Sequence, residues 1–403
     1  LDNETNRRVQ NTKSFYLEYT SGMTRERLGR EFYADSNRIK ELYKEAVGDD
    51  IDPSTGNRVG IHIKWMRFIN ALGLRLNPTR RLFLGGSMIG FVLHFFSAGL
   101  FSTALLGASF ASLFLIVILE LLEKFDVKKE IDFARDIQLS LLPDPDVDAD
   151  PIKIASFANT ASEVGGDYVD IIQTETGTWV IIADVSGKGL QAALYMVRMQ
   201  AMVHLLINKG IESPKELFLE LNDFIKSGSG DKTFVTACAG FFPKGKDEFV
   251  FSRAGHNPPI LFNNIKDTTI NLRTSGLALG MASTIRLKKY LKDVTIDFKA
   301  SDSIIFYTDG LTEARNFEGR EFGVSRVESI MDIYGSLDAN SIIEKIESSL
   351  EAFIGDEKQH DDITFTVIHK AESSVKPDPK TQAEEVAVLQ ESNSETNEDS
   401  EKE

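Results

Sequence analysis

The sequence holds a single cysteine, Cys238, inside an apolar stretch. One thiol cannot build a disulfide framework within the chain, nor a cysteine-rich zinc site; buried, it behaves as a small hydrophobe. The histidines fall in no HxxxH spacing, so a histidine-based zinc motif is missing too. Positive charge is in short supply: 45 Lys and Arg face 61 Asp and Glu, a formal net charge of −16. A general nucleic-acid binder neutralises phosphates with Lys and Arg, and this balance argues against one. Leu1 stands where a methionine would begin a full reading frame, so the chain can be a fragment with any leader out of view. What is present suffices for globular folding: 403 residues allow two or three domains, and an apolar share of 42% can fill a sizeable core.

Residues 1–81 form a polar N-terminal region, weakly structured or helical to about residue 57. It ends in a basic segment, where Arg58, Lys64, Arg67, Arg75, Arg80 and Arg81 interleave with Ile61, Trp65, Phe68 and Leu72 and no acid intervenes. Such a mix suits an amphipathic segment on an anionic bilayer. From Leu82 to Leu119 the one ionisable side chain is His94. That stretch is too long for one span of about 20 residues and about right for two short ones. A transmembrane hairpin over 82–119 is expected, turning at Ser97-Ala98-Gly99, with small residues such as Gly107, Ala108 and Ser109 allowing close helix approach. A buried hairpin of a soluble domain is the alternative. The basic flank puts both ends of the hairpin on the cytoplasmic side, which predicts a multi-pass protein of the inner (cytoplasmic) membrane with everything after Leu119 in the cytoplasm.

Residues 120–145 read as a linker helix, stopped by Pro143 and Pro145. Ile131, Ala134, Ile137 and Leu141 are spaced to share a face, suited to a second copy of the chain, to the following domain, or to no partner at all. Residues 152–369 alternate β-like runs (152–157, 168–173, 179–184, 235–242, 248–253, 303–307, 363–369) with helical stretches (190–208, 214–226, 340–353), an α/β pattern. Residues 371–403 are rich in Glu, Ser and Asn without an aromatic, a composition of disorder.

Four acidic sites stand where strands should meet loops: Gly165-Gly166-Asp167-Tyr168, Ala183-Asp184-Val185-Ser186-Gly187-Lys188-Gly189, Tyr307-Thr308-Asp309-Gly310 and Asp361-Asp362-Ile363-Thr364. A strand end holds a carboxylate rigidly, as metal coordination requires. Carboxylate, carbonyl and water oxygens suit Mg²⁺ or Mn²⁺. Two such ions about 3.5–4 Å apart can activate water and clamp a phosphoryl group. Singly, each Asp-Gly is an ordinary turn; the specific signal is the ordered set of four.

That set, with Ala254-Gly255-His256-Asn257-Pro258-Pro259 and the preceding Ala134-Arg135-Asp136-Ile137-Gln138-Leu139-Ser140-Leu141-Leu142-Pro143, resembles the bacterial SpoIIE/RsbU-like branch of the PPM serine/threonine phosphatases over about residues 130–369. The resemblance implies a β-sandwich flanked by helices, here preceded by the transmembrane hairpin and linker helix. It implies two Mn or Mg ions, with Asp184 bridging them, the Val185 carbonyl contributing, and Asp167, Asp309 and Asp361 completing the shell. Asp184 and Asp167 are then the expected catalytic pair, and Glu163 and Asp362 are a supporting residue or an alternative ligand. It implies a phosphorylated protein substrate, in the family often an anti-sigma-factor antagonist in a partner-switching pathway. Val169 stands where most members carry a second aromatic, a change of packing rather than of a ligand.

His256 suits a rigid, hydrogen-bonded turn better than a general acid, because the two prolines fix the backbone. Lys188 could touch phosphate but lies in no GxxxxGK loop. Glu313 and Arg315 read as structural. A membrane signalling scaffold that binds its partner without turnover is the competing function; the intact carboxylate set argues against it. Nothing supports base recognition, as a two-metal nuclease or cyclase would need.

Overall fold

The computed structural model describes residues 25–47, 60–228 and 233–372. The stretch before residue 25, residues 48–59 and the acidic tail beyond 372 lie outside the described residues, and with them most of the disorder expectation. The described chain divides into two compact units, Leu1–Asp126 and Val127–Glu403.

In the first unit, α1 (Arg25–Val47) and the basic α2 (Ile61–Arg75) precede α3 (Pro78–Phe96) and α4 (Gly99–Ser140). Ser87 Oγ donates to the Ser109 carbonyl at 3.0 Å, Ser112 Oγ to Phe83 O at 3.0 Å, and Ser102 Oγ meets His94 Nδ1 at 2.7 Å. These pairs run in opposite chain directions, so α3 and α4 form an antiparallel hairpin that breaks at Ser97-Ala98, within the expected turn. Arg80 closes the open end on Glu120 at 2.6 Å and Glu123 at 2.5 Å. The outer surface is apolar and uncovered, with Leu100 91% exposed and Phe110 71%.

One boundary differs from expectation. The second leg of the hairpin and the linker helix are a single 42-residue helix. No Gly or Pro lies between Leu119 and Ser140 to break it, and Pro143 follows shortly after its end.

The second unit is a sandwich of two antiparallel sheets with helices on both outer faces. One sheet has the order β1-β2-β11-β10-β7-β8, built from Asp146–Ala149, Ile152–Asn159, Ile363–Lys370, Ser303–Tyr307, Ile260–Asn263 and Thr268–Asn271. The other has the order β3-β4-β5-β6-β9, built from Asp167–Gln173, Gly177–Val185, Val235–Pro243, Glu248–Ala254 and Val294–Asp297. Strand alternation sorts the core. Val180, Ile182, Cys238, Ile304 and Phe306 fill the space between the sheets. Their neighbours Trp179, Ile181 and Ala183 face α5 (Leu190–Asn208) and α6 (Pro214–Gly228). Ile305 and Tyr307 face α9 (Val324–Tyr334) and α10 (Ala339–Ile354). The remaining helices, α7 (Thr284–Tyr290) and α8 (Asp309–Glu313), are short. Burial on both faces explains why the central strands read as unbroken apolar runs. Val169 is buried opposite Ile182, so the missing aromatic is a packing change as expected.

Among the described residues, two helices are long and apolar enough to cross a membrane, α4 and α5. Helix α5 is a core helix whose Met196, Met199 and Val203 are buried in the domain.

Candidate active site

The site is built at one end of the sandwich. In the β3–β4 register Asp167 is the cross-strand partner of Asp184. Directly opposed residues project to the same face, so pairing alone brings these two carboxylates together. From the other sheet, β10 ends at Tyr307 and hands over through Thr308 to Asp309, the first residue of α8, while Asp361 and Asp362 lead into β11. Thr308 N donates to Thr364 O at 2.9 Å. A Cβ on Gly310 would fall 1.8 Å from the Asp362 carbonyl, so glycine is needed where the two loops touch. Thr308 Oγ1 donates to Asp167 Oδ2 at 2.8 Å and so ties the two sheets together at the site.

Burial and like charge act on these acids together. Burial raises the pKa of Asp184 to about 7, aided by Asp309, Asp361 and Asp362 and opposed by Lys188. Burial holds Asp167 well above the usual carboxylate range, and Asp184 and Asp362 add to this. Asp309 is raised by burial and then by Asp361. Close carboxylates that resist ionising are what a cation would relieve.

Asp361 and Asp362 part ways. Asp362 accepts from the Ala161 N–H at 2.8 Å and the Gly166 N–H at 2.7 Å, so it braces the loop that carries Asp167. Asp361 stays half exposed, its Oδ2 taking a bond from Lys188 Nζ at 3.1 Å. Glu163 is exposed on the brace loop. The donor set is all oxygen, and glycine at 166 lets the backbone run close to it: a Cβ there would lie 3.0 Å from Val185 O, 3.2 Å from Ala192 Cβ and 3.7 Å from Asp184 Oδ1. Among the described residues no three acidic, imidazole or thiol groups already converge at ligand spacing. The oxygen donors fit a hard cation in their chemistry.

One contact is not legible in the motifs. Gln138, on α4, is buried and grips both backbone groups of Gly165: Nε2 donates to Gly165 O at 2.7 Å, and Gly165 N–H donates to Oε1 at 3.0 Å. Gln138 thus holds the loop two residues before Asp167. Of the four residues spaced to share a face, Ile131, Ala134 and Leu141 are half-buried and Ile137 is not. The buried position is Gln138, seven residues after Ile131, whereas Ile137 is 44% exposed. His256 is buried, shares a 2.8 Å bond with Thr236 Oγ1, and is pushed down to about 3 chiefly by burial, so it stays neutral and structural.

Residues 174–370 match the family model described as "Stage II sporulation protein E (SpoIIE)". They are a SpoIIE-family PPM phosphatase domain. The SpoIIE-family match sits beside two curated relatives from Bacillus subtilis (strain 168). The chain is 25% identical over 245 residues to phosphoserine phosphatase RsbU, covering 61% of this chain and 71% of RsbU. It is 27% identical over 195 residues to phosphoserine phosphatase RsbP, covering 47% of each. Among solved structures, the SiaA-PP2C domain of Pseudomonas aeruginosa aligns with a TM-score of 0.53 at 19% identity, over 61% of this chain and 98% of that one. That likeness establishes the PP2C-type fold.

Proposed function

We propose that the chain is a membrane-anchored protein serine/threonine phosphatase that hydrolyses phosphoserine or phosphothreonine on a partner protein, in a partner-switching pathway of the RsbU kind. The observation that carries the reading is the cross-strand pair Asp167–Asp184 facing Asp309 and Asp361 from the opposite sheet. Asp167, Asp184, Asp309, Asp361 and the Val185 carbonyl would hold two Mn or Mg ions. When bound, these ions supply the acidity that activates water and the charge that holds a phosphoryl group. The chain's own residues keep the carboxylates in a partly dry pocket, where charge interactions are strong. Asp362, Thr308 and Gln138 fix the loop and the side chain of Asp167. The test is Mn²⁺-dependent phosphate release from a phosphoserine protein by the wild type and by Asp184→Ala and Asp309→Ala. Retained metal-dependent binding of a phosphoprotein without turnover would favour the scaffold instead.

Membrane attachment is supported by the apolar outer surface of the α3–α4 hairpin, by Trp65 and Met66 exposed on the basic α2, and by the Arg80–Glu120 closure that gathers both polar ends. Both ends would lie in the cytoplasm, and reporter fusions after residue 78 and after residue 130 should report the same side. Opposite sides would mean a single crossing. The exposed Phe133 and Ile137 offer an apolar strip for a second copy of the linker helix. A signal reaching that helix would then act on Asp167 through Gln138, biasing a two-state element rather than the chemistry.

A further inference from the structure

Beside the carboxylates lies a cleft of about 140 Å³, several times the room one water needs. Lys188, Glu313, Arg315, Lys358, His360 and Asp361 line it. Lys188 enters from the loop between β4 and α5, flanked by Gly187 (φ +112°) and Gly189 (φ +70°), both in the left-handed region. Side chains other than glycine rarely adopt that backbone, so the loop shape is built to project this one. Its Nζ crosses to the other sheet, donating to His360 O at 2.9 Å and to Asp361 Oδ2 at 3.1 Å.

Three features suit Lys188 to an anion in the cleft. Its charge reaches both Asp184 and Asp309 across the cleft. Its pair with Asp361 is exposed on both sides, at 65% and 52%, and an exposed pair of this kind adds little stability and exchanges readily. Arg315, by contrast, is engaged with Glu321 at 3.0 Å. An ammonium carries three donors, and the two contacts made here leave one more. Once Asp361 serves a cation, its carboxylate no longer needs Lys188, and the ammonium stands at the mouth of the cleft beside the reacting position.

We propose that Lys188 is the phosphate-positioning residue of this site, exchanging Asp361 for a phosphoryl oxygen of the substrate, and that the cleft receives the phosphorylated side chain. This rests on the phosphatase reading above. A compact, flexible point charge suits that task, since the phosphoryl oxygens change position between substrate and product. The competing role is a tether that merely holds the Asp361 loop.

The experiment uses the full chain with p-nitrophenyl phosphate as substrate, inorganic phosphate as competitive inhibitor and Mn²⁺ as the titrated ion. Lys188→Ala should raise both KM and the phosphate inhibition constant by about tenfold, the worth of a charge-assisted hydrogen bond. Its half-saturating Mn²⁺ should stay within about twofold of wild type, and Lys188→Arg should recover most of the loss, because it keeps the charge. Unchanged KM and phosphate inhibition in Lys188→Ala, or a loss that follows half-saturating Mn²⁺ alone, overturns the proposal in favour of the tether. A wild-type chain without Mn²⁺-dependent hydrolysis removes the phosphatase reading and this inference with it.

Discussion

Asp184→Asn should inactivate the enzyme and, with metal removed, make the catalytic domain more stable. The Asp184 carboxyl is mostly buried among Asp167, Asp309 and Asp361, and its pKa stands at about 7 against the usual 3.8. Below pH 3.8 both folded and unfolded chains carry it neutral, and it contributes nothing to pH dependence. Between those two values the unfolded chain ionises while the folded one resists, so stability falls as pH rises; above about 7 the cost is complete. A rise from 3.8 to about 7, at ~1.36 kcal/mol for each pH unit between them, sets that cost at no more than about 4 kcal/mol. Asparagine keeps the shape and removes the charge. In a metal chelator near pH 8, the variant should melt higher by up to about 8–16 °C, using ~2–4 °C per kcal/mol for a domain of this size. Near pH 5 only about a third of that gain should remain, because the unfolded chain has then ionised over little more than about one pH unit. Saturating Mn²⁺ should reverse the order, since the wild type alone gains the full binding energy. The readout is thermal unfolding followed by circular dichroism at both pH values, with and without Mn²⁺. No gain at pH 8, or an equal gain at both, would refute the reasoning that repelling buried carboxylates await a cation.

Gln138→Ala leaves the Gly165 N–H and C=O without their partner, at about 1–3 kcal/mol for each buried group. Half-saturating Mn²⁺ should rise along with this loss of stability; a lower melting point at unchanged Mn²⁺ dependence would make the contact structural only. Ile137→Lys sits on an exposed position and should leave the melting point within about 2 °C, while lowering phosphatase activity and the fraction of dimer in light scattering. Unchanged activity and oligomeric state in that variant would reduce the helix to a tether.

Much of the fold is legible in the sequence because the central strands are buried on both faces. The apolar runs at 179–184, 235–242 and 303–307 fall inside the observed β4, β5 and β10, and the helix at 190–208 matches α5 residue for residue. Strands β1, β7, β8 and β9 are not legible. Each is four residues long, three of them lie at sheet edges, and their alternation is too brief to stand out from loop. The candidate site is legible for a different reason: Asp167, Asp184 and Asp309 stand at or just past ends of strong strands and Asp361 just before one, and close approach of neighbouring loops demands glycine at 166 and 310. The bond from Gln138 to Gly165 is not, since it spans 27 positions and depends on how the helix docks. At 3.6 residues per turn Gln138 lies nearer the Ile131–Ala134–Leu141 stripe than Ile137 does, but a polar side chain among apolar ones does not read as part of a buried face. Docking selects the glutamine, because its amide satisfies both backbone groups of Gly165 at once and isoleucine could satisfy neither.

The proposed phosphatase needs four carboxylates from two sheets to act as one metal-dependent site. Its most direct measurement is phosphate release from a phosphoserine-bearing protein by the purified full chain, titrated with Mn²⁺, for the wild type, Asp184→Ala and Asp309→Ala. Mn²⁺-dependent release is expected from the wild type, with a loss of at least about a hundredfold in each folded variant, since each change removes charge that would hold the ions. Near-normal release by both variants, or release by the wild type that is indifferent to Mn²⁺, would contradict it.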